Sequence, residues 1–596
     1  MLEQIESRVA ALRTWMRQSN LDAFIIPHED EFLGEYIPEH NERLHWISNF
    51  TGSAGAVVVT RDQAAIFVDG RYTVQVTKQT PDSIFEYQHL IETPPLTWAL
   101  SKLEKGSKLG LDPKMHSGAW LERSQEKVAE SLELVCVDKN PIDTLWEDRP
   151  TPSPEKIRLM GNEWVGQSSK DKRELIGSSI AESGADCAVI TALDSICWLL
   201  NMRGNDVSRL PVVLSHAIIH ANGSTELFVE SARIPDGFEQ HVAEGVTVVS
   251  PESLSDRLIA LKGKKVILDA TNSNAWFGIT LEKAGAEVID SDDPCLMPKA
   301  AKNAVEAEGM RQSHIRDGVA MVKFLSWFDK QNDQGNLLDE GTLSDKLEEF
   351  RRLDDSLVDL SFDTISAAAH NAAMCHYNHI NEPEPGVLNN NTMYLVDSGG
   401  QYPDGTTDIT RTIAVGTPTH EMKRLFTLVL KGHIALATTR FPVGTCGHQL
   451  DALARQHLWQ HGFDYDHGTG HGVGHFLSVH EGPQRISKVY NKVALQPGMV
   501  LSNEPGYYRE NQFGIRIENL EIVVEVETKG DMKVLGFESL TRCPIDTRNI
   551  DLTLLNANEI EWLNDYHAKV VTDLEPLLGD EEQAWLRNAT TPVEFA

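Results

Sequence analysis

One order of elements occurs twice in the first half of this chain, and it limits the fold more than any single motif does. In the first copy a charged segment at residues 1–18, with Leu2, Ile5, Val9 and Leu12 at helical spacing, leads to an apolar run at 21–26 (LDAFII). A tryptophan-containing segment follows at 44–47 (LHWI), then two short apolar runs at 56–59 (AVVV) and 65–68 (AIFV). The second copy runs from a helical segment to 185–190 (ADCAVI), 196–200 (ICWLL), 217–219 (AII) and 226–229 (ELFV). The shared order of helix, strand, Trp segment, strand and strand predicts two α/β modules, either duplicates or chance look-alikes. Residues 28–41 would be a loop inserted in the first.

Two segments carry boundary chemistry. Residues 138–155 hold four prolines among polar side chains, and 290–300 hold two more after an acidic run. They divide the 596 residues into modules at 1–150 and 151–300 and a third region that opens with a helical pattern at 305–328. Strands are expected there at 392–396, 409–415, 499–503 and, as one strongly alternating run, 513–526. The third region therefore reads as antiparallel sheet with flanking helices.

Charge and cysteine usage exclude several roles. Acidic residues number 88 against 54 basic, so the net charge is 54 − 88 = −34, which repels phosphate backbones and anionic membranes. No nucleic-acid or membrane partner is expected. Seven scattered cysteines with no CxxC pair suit reduced thiols, and no secretory apolar core or run of 18 apolar residues is visible. A cytoplasmic location is the expectation. P-loop, HExxH and GxSxG signatures are absent as well.

The chemistry concentrates in the third region. Asp397 closes an apolar run and Asp408 opens the next, 408 − 397 = 11 residues later, a spacing that suits a hairpin. Adjacent carboxylates repel unless a cation or a proton lies between them, though alone the pair reads more simply as two turn aspartates. Four histidines, His467, His471, His475 and His480, fall within 14 glycine-rich residues. Glycine adds no packed surface and lets backbone approach a ligand, and imidazole suits metal binding or proton transfer. Glu504 stands at a Pro-Gly turn, and a two-residue period puts Arg516 and Glu518 on one face with Ile515 and Ile517 on the other. An exposed Arg516–Glu518 pair is an equally good reading of that face taken alone. Two Asp, two Glu and one His would supply −4 against two divalent cations, an oxygen-rich set that suits Mn²⁺ better than a Cys-rich zinc site does.

The wordings VDSGG, DGTTDITRT, HGTGHGVGH, NEPGYY and GIRIEN, in that order, resemble the pita-bread metallopeptidases, the group of methionine aminopeptidase, prolidase, creatinase and aminopeptidase P. With GSAG at 52–55 and DGRY at 69–72, the whole chain is similar to the long, three-domain Xaa-Pro aminopeptidases. That resemblance implies an α/β (α+β) architecture: creatinase-type modules at 1–150 and 151–300, a pita-bread catalytic domain at 301–540 and an extension at 541–596. It implies two metal ions, Mn²⁺ foremost with Co²⁺ or Zn²⁺ as alternatives, held by Asp397, Asp408, His471, Glu504 and Glu518. It implies attack of a metal-bridging hydroxide on an N-terminal Xaa-Pro bond, with Glu504 as general base. His376 and His480 would assist catalysis, and His376, His467, His480 and Arg71 would contact the peptide. Arg516 would orient a metal-binding aspartate; Tyr508 would belong beside it or simply pack near the turn. His475 is left as structural. Ala367-Ala-Ala-His370-Asn departs from a stretch richer in Gly and Pro in the family. A homodimer follows from the resemblance too. The alternatives are a prolidase, a metal-free creatinase and a non-catalytic module that holds basic proteins; a complete ligand set argues against the last two.

Overall fold

The computed structural model describes residues 2–382 and 384–594, which divide into two compact units. One contains the chain up to Leu159 and residues 167–295; the other contains residues 160–166 and everything from Leu296 onward.

The first unit holds two six-stranded mixed sheets of one topology. In the first, the strand Ala23–Pro27 runs antiparallel to Ala56–Thr60 and parallel to Ser107–Leu111. Ala64–Val68 and Glu86–His89 extend one side of that sheet and Leu132–Cys136 the other. In the second, Cys187–Ile190 takes the central place, antiparallel to His216–His220 and parallel to Lys265–Leu268. Thr225–Phe228, Val246–Val249 and Glu287–Asp290 then follow in corresponding positions. Central strands buried along their whole length explain the near-continuous apolar runs of the sequence. Both Trp segments form short buried helices, Arg43–Ser48 and Leu193–Leu199. The opening helix Leu2–Gln18 buries Ile5, Val9, Leu12 and Met16, while Leu2 stays exposed. The modules also touch directly: Asn274 Nδ2 donates to the Glu31 carbonyl at 2.6 Å, and Phe32 stacks on His216.

In the second unit a 30-residue helix, Ala304–Asp333, starts from a capping box made by Asn303 and Glu306. The main sheet is antiparallel. Its central strand Asn519–Val526 lies between Val500–Asn503 and Val534–Ser539, and Gly470–Gly472 and Glu481–Ile486 continue it. A smaller sheet sets Thr392–Ser398 between Ile365–Ala368 and Ile409–Val415.

The expected single strand over 513–526 is two strands. Phe513–Arg516 forms a hairpin with Gly506–Arg509, and Asn519–Val526 belongs to the main sheet. The break has a hydrogen-bonding cause: the Ile517 amide donates to the Pro505 carbonyl at 3.3 Å and the Glu518 amide to the Thr410 carbonyl at 3.1 Å. The chain changes partners there, and Glu518 is left where two sheets meet.

Candidate metal centre

The hairpin expected around the two aspartates is present. Thr392–Ser398 and Ile409–Val415 pair in register with Asp397 opposite Thr410, so Asp397 and Asp408 stand at the same end of the small sheet. From the main sheet, Gly470–Gly472 delivers His471 and the end of Val500–Asn503 delivers Glu504. These strands approach closely because Gly470 has no side chain; a Cβ there would lie 2.0 Å from the Ser502 carbonyl oxygen. The break after Arg516 supplies Glu518.

The five side chains converge. Single ligand atoms of Asp408, His471 and Glu518 lie within 4.8 Å of one another. His471 Nε2 is 3.5 Å from Asp408 Oδ2 and 3.6 Å from Glu504 Oε1. Glu518 Oε2 accepts the Thr410 hydroxyl at 2.7 Å, and Glu504 Oε1 accepts the Ser502 hydroxyl at 3.1 Å. Arg516 donates through Nη2 to Asp397 Oδ2 at 2.6 Å and through Nε to Thr410 Oγ1 at 3.1 Å. Arg516 and Glu518 are buried, so the exposed pair considered for that face is not what forms. The guanidinium pairs with Asp397 because a buried charge needs a partner close by.

The electrostatics are those of a site built to hold positive charge. Burial lifts Asp397 to about 6 against the pull of Arg516, and burial lifts Glu504 to about 7, opposed by His471 and Arg516. Glu518 is raised well above the usual carboxylate range by burial and by its carboxylate neighbours. Burial alone would lower His471; Asp408 and Glu504 overcome it and raise the imidazole to about 9. So much buried negative charge is tolerable only with protons or cations among the oxygens.

The donor set fits divalent ions. Asp397 Oδ1 is buried with no hydrogen-bond partner, an acceptor lone pair left over. His471 Nδ1–H donates to the Gly472 carbonyl at 2.8 Å, which turns Nε2 and its lone pair toward the carboxylates, the arrangement typical of a metal-binding imidazole. Four carboxylates and one imidazole suit hard or borderline ions such as Mn²⁺.

A second line of groups leaves the cluster through Arg516. Its Nη1 donates to the Tyr508 hydroxyl oxygen at 2.7 Å, and that hydroxyl donates to His467 Nε2 at 2.8 Å. His467 Nδ1–H donates to the Gly468 carbonyl, and burial lowers this imidazole to about 3, so it is neutral. Tyr508 is thus a hydrogen-bonded link and not merely packed. His480 is exposed, its ring 4.4 Å from that of His471. His376 lies half-buried after the turn Ala369–Ala373, which packs against Phe513–Arg516. His475 is buried. Arg71 lies in the other unit, where Asp69 takes its guanidinium through Nη2 at 2.7 Å. The sequence reading passed over Thr410 and Ser502. Their signal was present: Thr410 lies two residues from Asp408 and Ser502 two from Glu504, on the same faces of their strands.

Comparisons with known proteins agree with this geometry. The model of metallopeptidase family M24 matches residues 308–525, and that of the M24 C-terminal region matches 533–593. The creatinase/prolidase N-terminal domain matches twice, at 8–145 and 148–306. A probable Xaa-Pro aminopeptidase P of Laccaria bicolor is 40% identical over 98% of this chain and 93% of its own. One from Coprinopsis cinerea is 39% identical over 98% of each. Among solved structures, an X-prolyl aminopeptidase of Caenorhabditis elegans, described as a cytosolic enzyme with a di-nuclear active site, is similar with a TM-score of 0.93. It is 33% identical, over 99% of this chain and 100% of the other.

Proposed function

This chain belongs to the Xaa-Pro aminopeptidase P group of the M24 metallopeptidases, and on that premise we propose that it removes the N-terminal residue from peptides whose second residue is proline. The observation that carries the reading is the convergence of Asp397, Asp408, His471, Glu504 and Glu518, with Asp397 Oδ1 and His471 Nε2 left as acceptors. Two divalent ions held there, Mn²⁺ by the ligand chemistry, would supply an acidified water and positive charge for an oxyanion. Four carboxylates balance their charge.

The protein's own groups do the rest. Glu504 takes a proton from the attacking water and returns it to the leaving nitrogen. That second transfer matters because the proline nitrogen has no N–H and must leave protonated. His376 donates to the developing oxyanion, and His480, exposed beside His471, binds the peptide around the scissile bond. Neutral His467 meets the peptide from the end of the Arg516–Tyr508 line. Arg516 holds Asp397 in its orientation. For a substrate contact by Arg71 the support is the resemblance alone, as it is for a homodimer and for the four-part division at 150, 300 and 540. A cytoplasmic location is supported by the cytosolic relative and by seven cysteines that form no disulfide.

The test is release of the first residue from Arg-Pro-Pro, Arg-Pro and Arg-Ala-Ala by chelated enzyme with and without Mn²⁺. Metal-dependent cleavage of Arg-Pro-Pro alone is expected. Cleavage of Arg-Pro alone would make the protein a prolidase, and silence on all three with metal bound would favour a binding module for basic partners, which the charge of −34 would suit.

A further inference from the structure

Resting on the reading of His376 as a substrate-contacting group, we propose that Glu340 is the positioning residue of the His376 loop, fixing it through four hydrogen bonds that converge on one buried carboxylate. Glu340 opens the helix Glu340–Arg351, whose cap is Asp339, and it is fully buried. Among the described residues no cation pairs with it. Its Oε1 instead accepts from the Ala368 amide at 2.7 Å and from Asn371 Nδ2 at 2.9 Å. Its Oε2 accepts from the Tyr377 hydroxyl at 2.6 Å and the Gly386 amide at 2.7 Å. A buried carboxylate without a counter-ion persists only where donors replace its lost water, and four donors on two oxygens is close to its full capacity.

The origin of the donors gives the arrangement its meaning. Ala368 ends the strand Ile365–Ala368, which sets Ile365 opposite Asp397. Gly386 is 386 − 368 = 18 residues later, where the loop returns. Asn371 and Tyr377 lie between, and Tyr377 directly follows His376. One carboxylate therefore closes both ends of the loop and grips its middle. The Glu340 backbone adds to this: its amide donates to the Gly386 carbonyl at 2.8 Å, and its carbonyl accepts the Ser366 hydroxyl at 2.7 Å. Glycine at 386 is needed for the approach, since a Cβ would lie 2.8 Å from Glu340 Oε1 and 2.6 Å from Asn371 Nδ2. On its other side the loop's first turn presses on the strand of Arg516, where a Cβ on Gly514 would fall 1.8 Å from the Ala372 carbonyl oxygen. His376 thus leaves a segment clamped between Glu340 and that strand.

Four donors require a carboxylate. Glutamine keeps the shape but must turn its NH2 group toward one of the two pairs of donors; the Tyr377 hydroxyl can reverse and accept from it, whereas the N–H groups cannot, so at least one buried N–H loses its acceptor. The loop would then sample other positions while the metal ligands, carried on other strands, stay in place.

The experiment compares wild type, Glu340→Gln, His376→Ala and the double variant, each loaded with Mn²⁺, assayed on Arg-Pro-Pro and analysed for bound metal. Glu340→Gln is expected to keep its metal and to lose kcat at least tenfold with a smaller change in KM. The double variant is expected to be no slower than His376→Ala alone, because the loss passes through His376. Tyr377→Phe removes one donor and keeps the ring, so a smaller loss in the same direction is expected even if Glu340→Gln fails to fold. Multiplying losses in the double variant, or metal lost from Glu340→Gln, would show a merely structural role and overturn the proposal. Full activity of Glu340→Gln beside a crippled His376→Ala sinks Glu340 alone. An inactive wild type, or a His376→Ala variant as fast as wild type, sinks the reading of His376 and the proposal with it.

Discussion

Arg516 illustrates how much of the site depends on the shape of one side chain. Its Nε, Nη1 and Nη2 serve Thr410, Tyr508 and Asp397 separately, a fork that lysine cannot reproduce. Arg516→Lys is expected to lower kcat/KM by about 10–100-fold and to weaken metal retention in a chelator titration; retention equal to wild type would remove Arg516 from the site's support. Ala369 is a different case: its φ of 50° lies in the left-handed region, where the alanine Cβ is crowded. The departure from a glycine-rich wording noticed at 367–371 therefore has a local cost, and Ala369→Gly should stabilise the protein by about 0.5–1 kcal/mol in a denaturant melt. Titration supplies a third expectation. Asp397 and Glu504, raised to about 6 and about 7 without metal, hold protons in the fold that the unfolded chain has released, so their contribution falls as pH rises through those values. His471, raised to about 9, contributes stability fully below its unfolded value and loses it through that pH. The slopes agree in sign: chelated protein should lose Tm from about pH 5 to about pH 9, and added Mn²⁺ should raise Tm more at the alkaline end. A Tm independent of pH would contradict that cluster.

Among elements, the strands that meet at Gly470 and Ser502 set the spacing of His471 from Glu504. Gly470→Ala puts a methyl against backbone that cannot yield, with an expected loss of about 1–3 kcal/mol and weaker metal binding by calorimetry; an unchanged titration would mean that the strands part without moving the ligands. This level also marks what the sequence could reveal. The aspartate hairpin was legible because one apolar run closes on Asp397 and the next opens from Asp408 at hairpin spacing. The break at Ile517 left a mark that the expectation of one strand overlooked: apolar residues fall on odd positions at 513, 515 and 517 and on even ones at 520, 522, 524 and 526, and the amide partners, Pro505 and then Thr410, change at that same point. Glu340 escaped notice for a different reason. Nothing in a helix-opening glutamate distinguishes it from an ordinary solvated one until the donors from 368–386 are seen around it.

For the molecule as a whole, the repeated order in the first half was a reliable guide because it is an order of elements and not of residues: both sheets place their strands in one sequence with one set of directions. All five residues proposed as ligands come from the other unit. Calorimetry of the full chain should therefore show the unfolding of that unit alone rising with Mn²⁺, by about 2.7 kcal/mol for each ion bound at a hundredfold excess over its Kd. A metal response spread over every transition would mean that the units unfold together. The dispersal of those ligands, from Asp397 to Glu518, has a consequence in time. No fragment emerging from a ribosome owns a usable set until Glu518 has been made and the sheets around it have closed. A nascent chain is consequently harmless to the polypeptides near it, and hydrolytic capacity arrives only with the finished fold.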